Sequence, residues 1–326
     1  MIEASPEQTR QYIDAVATFG ALEEARQDAR STAGGMYWHA GPPAYPEAKY
    51  LVRTSPTGAE RSLGPRGAET EKTFENFTRR KTDNEDRVKG LAQQLEQHRR
   101  LNRALRVGRV EPLVVRLLNR LADTRLMEHF RVVGTHSLYA YETAAGVRLD
   151  SEVLTTRDID LLWDTQKRVT FSTQLAKVDT SMLGVLKKVD ATFRLRRSQL
   201  YTAVNKNGFE VDIIRRMKTD SDEHPIKLSS ADEDFYVVQA PYANLLLYSE
   251  GFSQVVVATD GTMARMSTMH PAVFVKFKLW MSQRTDRVPF KARRDRLQAE
   301  AVLVLLDRYL PQLKVPRDAG PDASPS

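Results

Sequence analysis

Three aspartates and one Gly-Thr step are the residues of this 326-residue sequence whose types and spacing could do chemistry. Thr156-Arg157-Asp158-Ile159-Asp160-Leu161-Leu162 reads as a strand. Side chains alternate faces along a strand, so Asp158 and Asp160 share one face while Ile159 and Leu161 enter the core from the other. Two carboxylates so placed repel each other unless one is protonated or a cation stands between them. A hard divalent ion resolves the conflict. Magnesium, or manganese in its place, commonly keeps substrate phosphates among its ligands. The Asp-x-Asp spacing alone is common by chance, and its surroundings sharpen it. Upstream, Val132-Val133-Gly134-Thr135-His136-Ser137 is a strand ending in Gly-Thr before a helix. Glycine lets backbone approach a phosphate closely, and hydroxyls and helix-start amides can donate to its oxygens. Gly134, Thr135 and Ser137 are therefore the phosphate-binding candidates. Downstream, Phe209-Glu210-Val211-Asp212-Ile213-Ile214 is a strand with Asp212 opposite the apolar residues Phe209, Val211 and Ile213. A third carboxylate beside the first pair completes a two-ion site, where one ion orients a triphosphate and the other activates an incoming hydroxyl. Asp212 is then the general-base candidate, and Glu210, on the same face, is its competitor.

The elements that must carry these residues follow from periodicity. Residues 4–30 read as an amphipathic helix opened by Ser5-Pro6, Tyr50–Arg53 as a short strand and residues 56–67 as turns. Nothing but Gly90 interrupts a charged, exposed helix from Glu69 to about Arg106. Leu113–Met127 is a helix with a leucine stripe, Phe130–Gly134 a strand, and Leu138–Ala145 a helix closed by Gly146. After the Asp158 strand come a helix over Thr173–Leu186 and β structure over Thr192–Tyr201 and Ala203–Arg215. The Asn207-Gly208 turn interrupts the second β segment. Helices follow near Tyr242–Ser249, Pro271–Arg284 and Val288–Tyr309. The expectation is an α+β protein with a mixed-sheet core, a helical N-terminal extension and a helical C-terminal part. Its parts are residues 1–110 as a mainly helical accessory region, 111–217 as the core, 218–314 as the C-terminal part and 315–326 as a disordered tail.

Gly134-Thr135, Asp158-Ile159-Asp160 and Val211-Asp212-Ile213 resemble the Gly-Ser, paired-Asp and third-Asp motifs of the polymerase-β-like nucleotidyltransferase superfamily. Gly35-Met-Tyr-Trp38, Val133–Tyr141 and Thr156–Leu162 look like a bacterial family of nucleotidyltransferase-fold proteins, a likeness that covers most of the chain. More distantly the chain is similar to abortive-infection (AbiE) and MenA-type toxin nucleotidyltransferases, some of which modify tRNA. Thr135 departs from the serine of many relatives but keeps the hydroxyl. The resemblance implies a nucleotidyltransferase core whose C-terminal part completes the site for a nucleoside triphosphate (NTP). It also implies two bound ions held by Asp158, Asp160 and Asp212, and a C-terminal lysine or arginine that reaches the triphosphate. Lys276, Lys278, Arg287 and Lys291 are the candidates, each of which could equally be a surface cation. Fold-level likeness does not identify the acceptor.

Net charge is +7, and Arg99–Arg125 holds eight arginines against Glu111 and Asp123. That tilts the acceptor toward RNA, tRNA-like in the resembled toxins, although a solvated helix face gives the same bias. The toxin reading would add an antitoxin or other protein partner. A composition of 41% hydrophobic and 28% charged residues, with no long apolar run and no signal-like start, fits a cytoplasmic globular protein without a membrane role. The absence of cysteine excludes thiol catalysis and cysteine-bound zinc. The six histidines lack metal-ligand spacing, and only His136 falls in the proposed site, as a supporting contact. No P-loop or dinucleotide glycine fingerprint occurs. The alternative to an enzyme is a catalytically inactive nucleotidyltransferase fold that binds nucleotide, RNA or a protein partner.

Overall fold

The computed structural model describes residues 1–42, 44–45, 47–178, 180–218 and 225–314. The expected disordered tail, 315–326, lies outside them. In chain order, β1 (Ile2–Glu3) and α1 (Pro6–Ser31) precede β2 (Gly35–Ala40), β3 (Lys49–Thr54), β4 (Glu60–Pro65) and α2 (Ala68–Ala104). Then come α3 (Pro112–Asp123), β5 (Phe130–Val133), α4 (Ser137–Ala145), β6 (Val147–Arg148), α5 (Ser151–Leu154) and β7 (Asp158–Trp163). They are followed by α6 (Arg168–Lys177), α7 (Met182–Lys187), β8 (Arg194–Arg196), β9 (Gln199–Val204) and β10 (Glu210–Arg215). The chain closes with β11 (Ile226–Lys227), β12 (Tyr236–Gln239), α8 (Ala243–Tyr248), β13 (Gly251–Val257), β14 (Met263–Met269), α9 (Pro271–Gln283) and α10 (Pro289–Arg308). The class is α+β, as expected from the sequence. No helix among the described residues is long and apolar enough to cross a membrane.

The chain forms two compact units, one of residues 10–101 and one of residues 1–9 with 102–326. In the first, α1 buries Ala15, Phe19, Leu22 and Ala25, one stripe of a 3.6-residue period. The long charged helix expected from Glu69 is α2, in which Asn102 is the one buried residue. The sequence reading missed most of a three-stranded antiparallel sheet, β2-β3-β4, in this unit. Glu60-Arg-Ser-Leu-Gly-Pro65 was read as turns because its charges, glycine and proline suit no buried strand. As an exposed edge strand it needs only its ladder to β3, and proline is tolerated at an edge.

The larger unit is built on a mixed sheet in the order β11-β12-β10-β7-β5-β14-β13, with β9 also pairing β10 and β8 pairing β9. β7 and β10 run parallel to each other, while β5 runs antiparallel to β7. One apolar core covers the face carrying Ile159, Leu161, Trp163, Val211 and Ile213, against α3, α6 and α7. A second covers Val133 and Leu162 on the opposite face, against α4, α8, α9 and α10. Leucines of α3 supply the first core as their spacing required: Leu113, Leu117, Leu118 and Leu121 are all buried. Gly146 ends α4 with φ +65°, the left-handed cap that glycine adopts without a Cβ clash.

Two further corrections concern β structure. The C-terminal part is not wholly helical, since β13 and β14 form an antiparallel hairpin and β14 pairs parallel to β5. The segment over 192–215 is a three-strand meander of β8, β9 and β10, and Asn205–Gly208 makes its second turn. The helix expected over Thr173–Leu186 is instead two, α6 and α7.

Candidate active site

On β7 and β10 the register is Asp158 beside Glu210 and Asp160 beside Asp212. Parallel register partners point to the same face of a sheet, so four carboxylates form a two-by-two array on strands roughly 4.8 Å apart. On the other side of β7, Val133 is the register partner of Asp160, so the glycine turn that follows β5 opens beside that carboxylate. Gly134 has φ +73°, and a Cβ placed there would lie 2.6 Å from Asp160 Oδ2. The glycine is required twice over, by backbone conformation and by the approach of the carboxylate. Gly134→Ala is expected to lower stability by about 1–2 kcal/mol. Thermal melting checks it, and an alanine variant as stable as wild type would refute this requirement.

The array is electrostatically frustrated. Burial raises the Asp160 carboxyl to about 7, and the charges of Asp158 and Asp212 add to the effect, against Lys278 and Arg287. Among the described residues no side chain donates a hydrogen bond to it. Burial also raises Asp212, opposed by the Thr202 hydroxyl that donates to its Oδ1 at 2.6 Å. Asp158 accepts from the Thr156 hydroxyl. Glu210 is ion-paired with Arg196. Of the two base candidates, Asp212 is therefore the one without a cation clamped to it.

These four acids are hard oxygen donors and suit a divalent ion by chemistry. In geometry they are not closed around one: among the described residues no three His, Asp or Glu side chains are gathered into a cluster that could hold a metal. The hydroxyls of Thr156 and Thr202 occupy one oxygen each of Asp158 and Asp212 in this arrangement.

Of the phosphate-binding candidates, Thr135 is buried, and its Oγ1 accepts from Gln298 Nε2 at 3.2 Å. The same amide donates to Val153 O at 2.7 Å. Because the hydroxyl accepts from Gln298, its own proton is left for another acceptor. Ser137 is directed elsewhere: its hydroxyl accepts from Thr268 at 2.7 Å and lies 3.4 Å from Val132 O, inside the sheet. His136 is buried between Tyr139 and Phe209, and burial lowers it to about 4, so the ring is neutral at pH 7.

The four cation candidates separate. Lys278 is buried and donates to Asp295 at 2.8 Å, and Arg287 reaches the other oxygen of the same carboxylate at 2.8 Å. Both cations act on Asp160, whose carboxyl they stabilise in its charged form. Lys276 and Lys291 are exposed. Lys276, two residues from Lys278, faces away from it on α9. Asp295 and Gln298 were missed by sequence reasoning, yet a signal existed. Buried positions of α10 run 295, 298, 299, 302, 305 and 306, so both polar residues stand on an apolar stripe. Lys278 likewise continues the buried stripe Pro271, Phe274, Val275 of α9.

The arginine-rich segment is divided between the two units and partly neutralised. Arg99 and Arg100 pair with Glu96, Arg109 with Glu142 and Arg125 with Glu128.

The family described as nucleotidyltransferase matches residues 113–319, more than half of the chain and the whole carboxylate array with its glycine turn and buried cations. The chain belongs to that family, which makes it a transferase and implies an NTP as substrate. No curated protein and no solved structure matches it.

Proposed function

We propose that the chain transfers a nucleotidyl group from an NTP to an acceptor hydroxyl, with RNA as the acceptor, in a reaction dependent on magnesium or manganese. The observation that carries the reading is the register of Asp160 with Asp212, beside Asp158 and against the Gly134 turn. Asp158, Asp160 and Asp212 would hold two divalent ions, once Asp158 and Asp212 turn from the hydroxyls of Thr156 and Thr202. Bound there, the ions would supply charge neutralisation at the triphosphate and a more acidic acceptor hydroxyl. The chain's own groups do the rest. Amides of the Gly134 turn and the Thr135 proton bind phosphate oxygens, and Lys278 and Arg287 offset the charge of the triphosphate. Asp212, the base candidate with no cation paired to it among the described residues, accepts the acceptor's proton. The acceptor oxygen then bonds to the α-phosphorus, the bond to the bridging oxygen breaks, and pyrophosphate leaves.

The test is pyrophosphate release from each of the four NTPs with magnesium, with and without total cellular RNA. RNA-dependent release with one preferred base is expected; none above an Asp158→Asn blank would reject transfer to RNA. A second reading, nucleotide binding without turnover, is favoured by one observation, the hydroxyls of Thr156 and Thr202 bonded to Asp158 and Asp212. NTP binding with no release would support it.

A further inference from the structure

Beyond β10 the carboxylate face continues onto β9. Thr202 is the register partner of Asp212 and Val204 that of Glu210, so Leu200, Thr202 and Val204 share the face of the acids. Leu200 and Val204 line, at this edge of the sheet, a cleft of about 920 Å³ whose Arg196 reaches Glu210 of the array. Leu183 and Leu195, which pack with the core on the opposite face, line it together with Leu200, which is 43% exposed. Lys187, Arg194, Arg196 and Arg197 stand around it against Asp232 and Glu233. Arg196 is held by Glu210, and Lys187 lies 4.0 Å from Glu233, so the exposed Arg194 and Arg197 carry the cleft's surplus charge. A second cleft of about 610 Å³ shares Arg197 and Leu200 with the first and adds Tyr201 and Tyr236.

We infer that this pair of clefts binds a single-stranded RNA segment and leads its terminal hydroxyl to Asp212, an inference that rests on the carboxylate array being the transfer centre. The sheet separates the two substrates. Gly134 follows β5, and Lys278 and Arg287 act on Asp160, so the triphosphate side lies at β5 and β7. The clefts begin at β9, three strand spacings from β5, roughly 14 Å at about 4.8 Å per strand. Apolar side chains and arginines in the first cleft, with Arg197 and the rings of Tyr201 and Tyr236 in the second, suit phosphates and bases together, the chemistry of single-stranded nucleic acid rather than of a free anion. The cleft cations replace the arginine-rich segment 99–125 as the leading RNA contacts, since four of the latter already pair with glutamates.

The test is fluorescence anisotropy of a labelled mixed-sequence 12-nucleotide RNA on the full chain, with equilibrium dialysis of each magnesium-NTP alongside. The double variant Arg194→Ala, Arg197→Ala should bind RNA about tenfold more weakly. Its slope of log affinity against log salt should be shallower by about 1.4, from two lost single-strand phosphate contacts. Tyr236→Ala should also weaken RNA binding about tenfold through lost stacking. NTP binding should stay unchanged in both. No RNA binding by the wild type, equal RNA affinity in the double variant, or loss of NTP binding in parallel would overturn the inference. Failure of the parent reading looks different: RNA binding would depend on Arg194 and Arg197 while no NTP was turned over.

Discussion

Asp160→Asn is expected to lower pyrophosphate release about a hundred- to a thousand-fold while making the metal-free protein more stable. The first effect follows because Asp160, between Asp212 and the Gly134 turn, would hold a divalent ion, and loss of one preorganised electrostatic contact costs about 10²–10³ in rate. The second follows from its surroundings. The native carboxyl sits near 7, above its ordinary 3.8, because burial and two neighbouring acids disfavour the charge. A native state with the raised value binds the proton more tightly than the unfolded chain. Stability carried by that proton is whole below about pH 4 and is lost as pH rises to about 7. Asparagine keeps the shape and never ionises. In EDTA at pH 8 the variant should gain on the order of 2–4 kcal/mol, read as a rise in Tm of several degrees, and at pH 4 the gain should vanish. A rise in Tm of equal size at both pH values would show that the array is not frustrated. Adding magnesium should narrow the gap at pH 8 by stabilising the wild type alone.

Asp295→Ala should cause the largest loss of stability, about 3–5 kcal/mol, because it strands a buried ammonium. Asp295 is fully buried, and its two oxygens hold Lys278, 4% exposed, and Arg287. Burial already lowers the Lys278 amine, and Asp295 is the main force restoring its charge. Without that partner the amine must lose its proton or draw in water, and Tm should fall by roughly 10 °C for a unit of this size. The pair Lys278→Met, Asp295→Leu should recover most of the stability, since apolar replacements of a buried ion pair are often neutral. It should not recover full turnover, because one of the two positive charges acting on Asp160 is gone and Arg287 has lost the carboxylate that holds it. A loss below about 1 kcal/mol for Asp295→Ala would mean that Lys278 reaches solvent, and would remove it from the triphosphate side.

The parts of the site that lie on strands were legible because alternation has a period of two. Asp158 and Asp160 could only share a face, and Asp212 only oppose Val211 and Ile213. What alternation could not supply was the register between β7 and β10, a tertiary property that sets Asp160 beside Asp212. The hairpin of β13 and β14 escaped for a related reason. Met263-Ala-Arg-Met-Ser-Thr-Met269 has little β propensity of its own, and its position is given by pairing with β5, far away in sequence. Lys278 and Lys276 could not be ranked by charge, which is the same. Their phase on the helix separates them, and a lysine on an apolar stripe needs an acid, here 17 residues on.

The division of the chain has a consequence for its handling. Residues 1–9 belong with residues 102–326, and Gln8 Nε2 bonds to Leu105 O at 2.9 Å, so the chain leaves this unit and re-enters it at nearly one point. Residues 10–101 are therefore a parenthesis in the text of the larger unit rather than a preface to it, entered along α1 and left along α2. A cut made near residue 100 would discard more than that parenthesis. It would also take away β1 with its ladder to β6, the Met1 ammonium on Asp150 and the contact from Tyr309 to Glu3. Keeping those contacts while removing the parenthesis means closing both brackets, with Thr9 joined to Asn102 across the cut ends of α1 and α2.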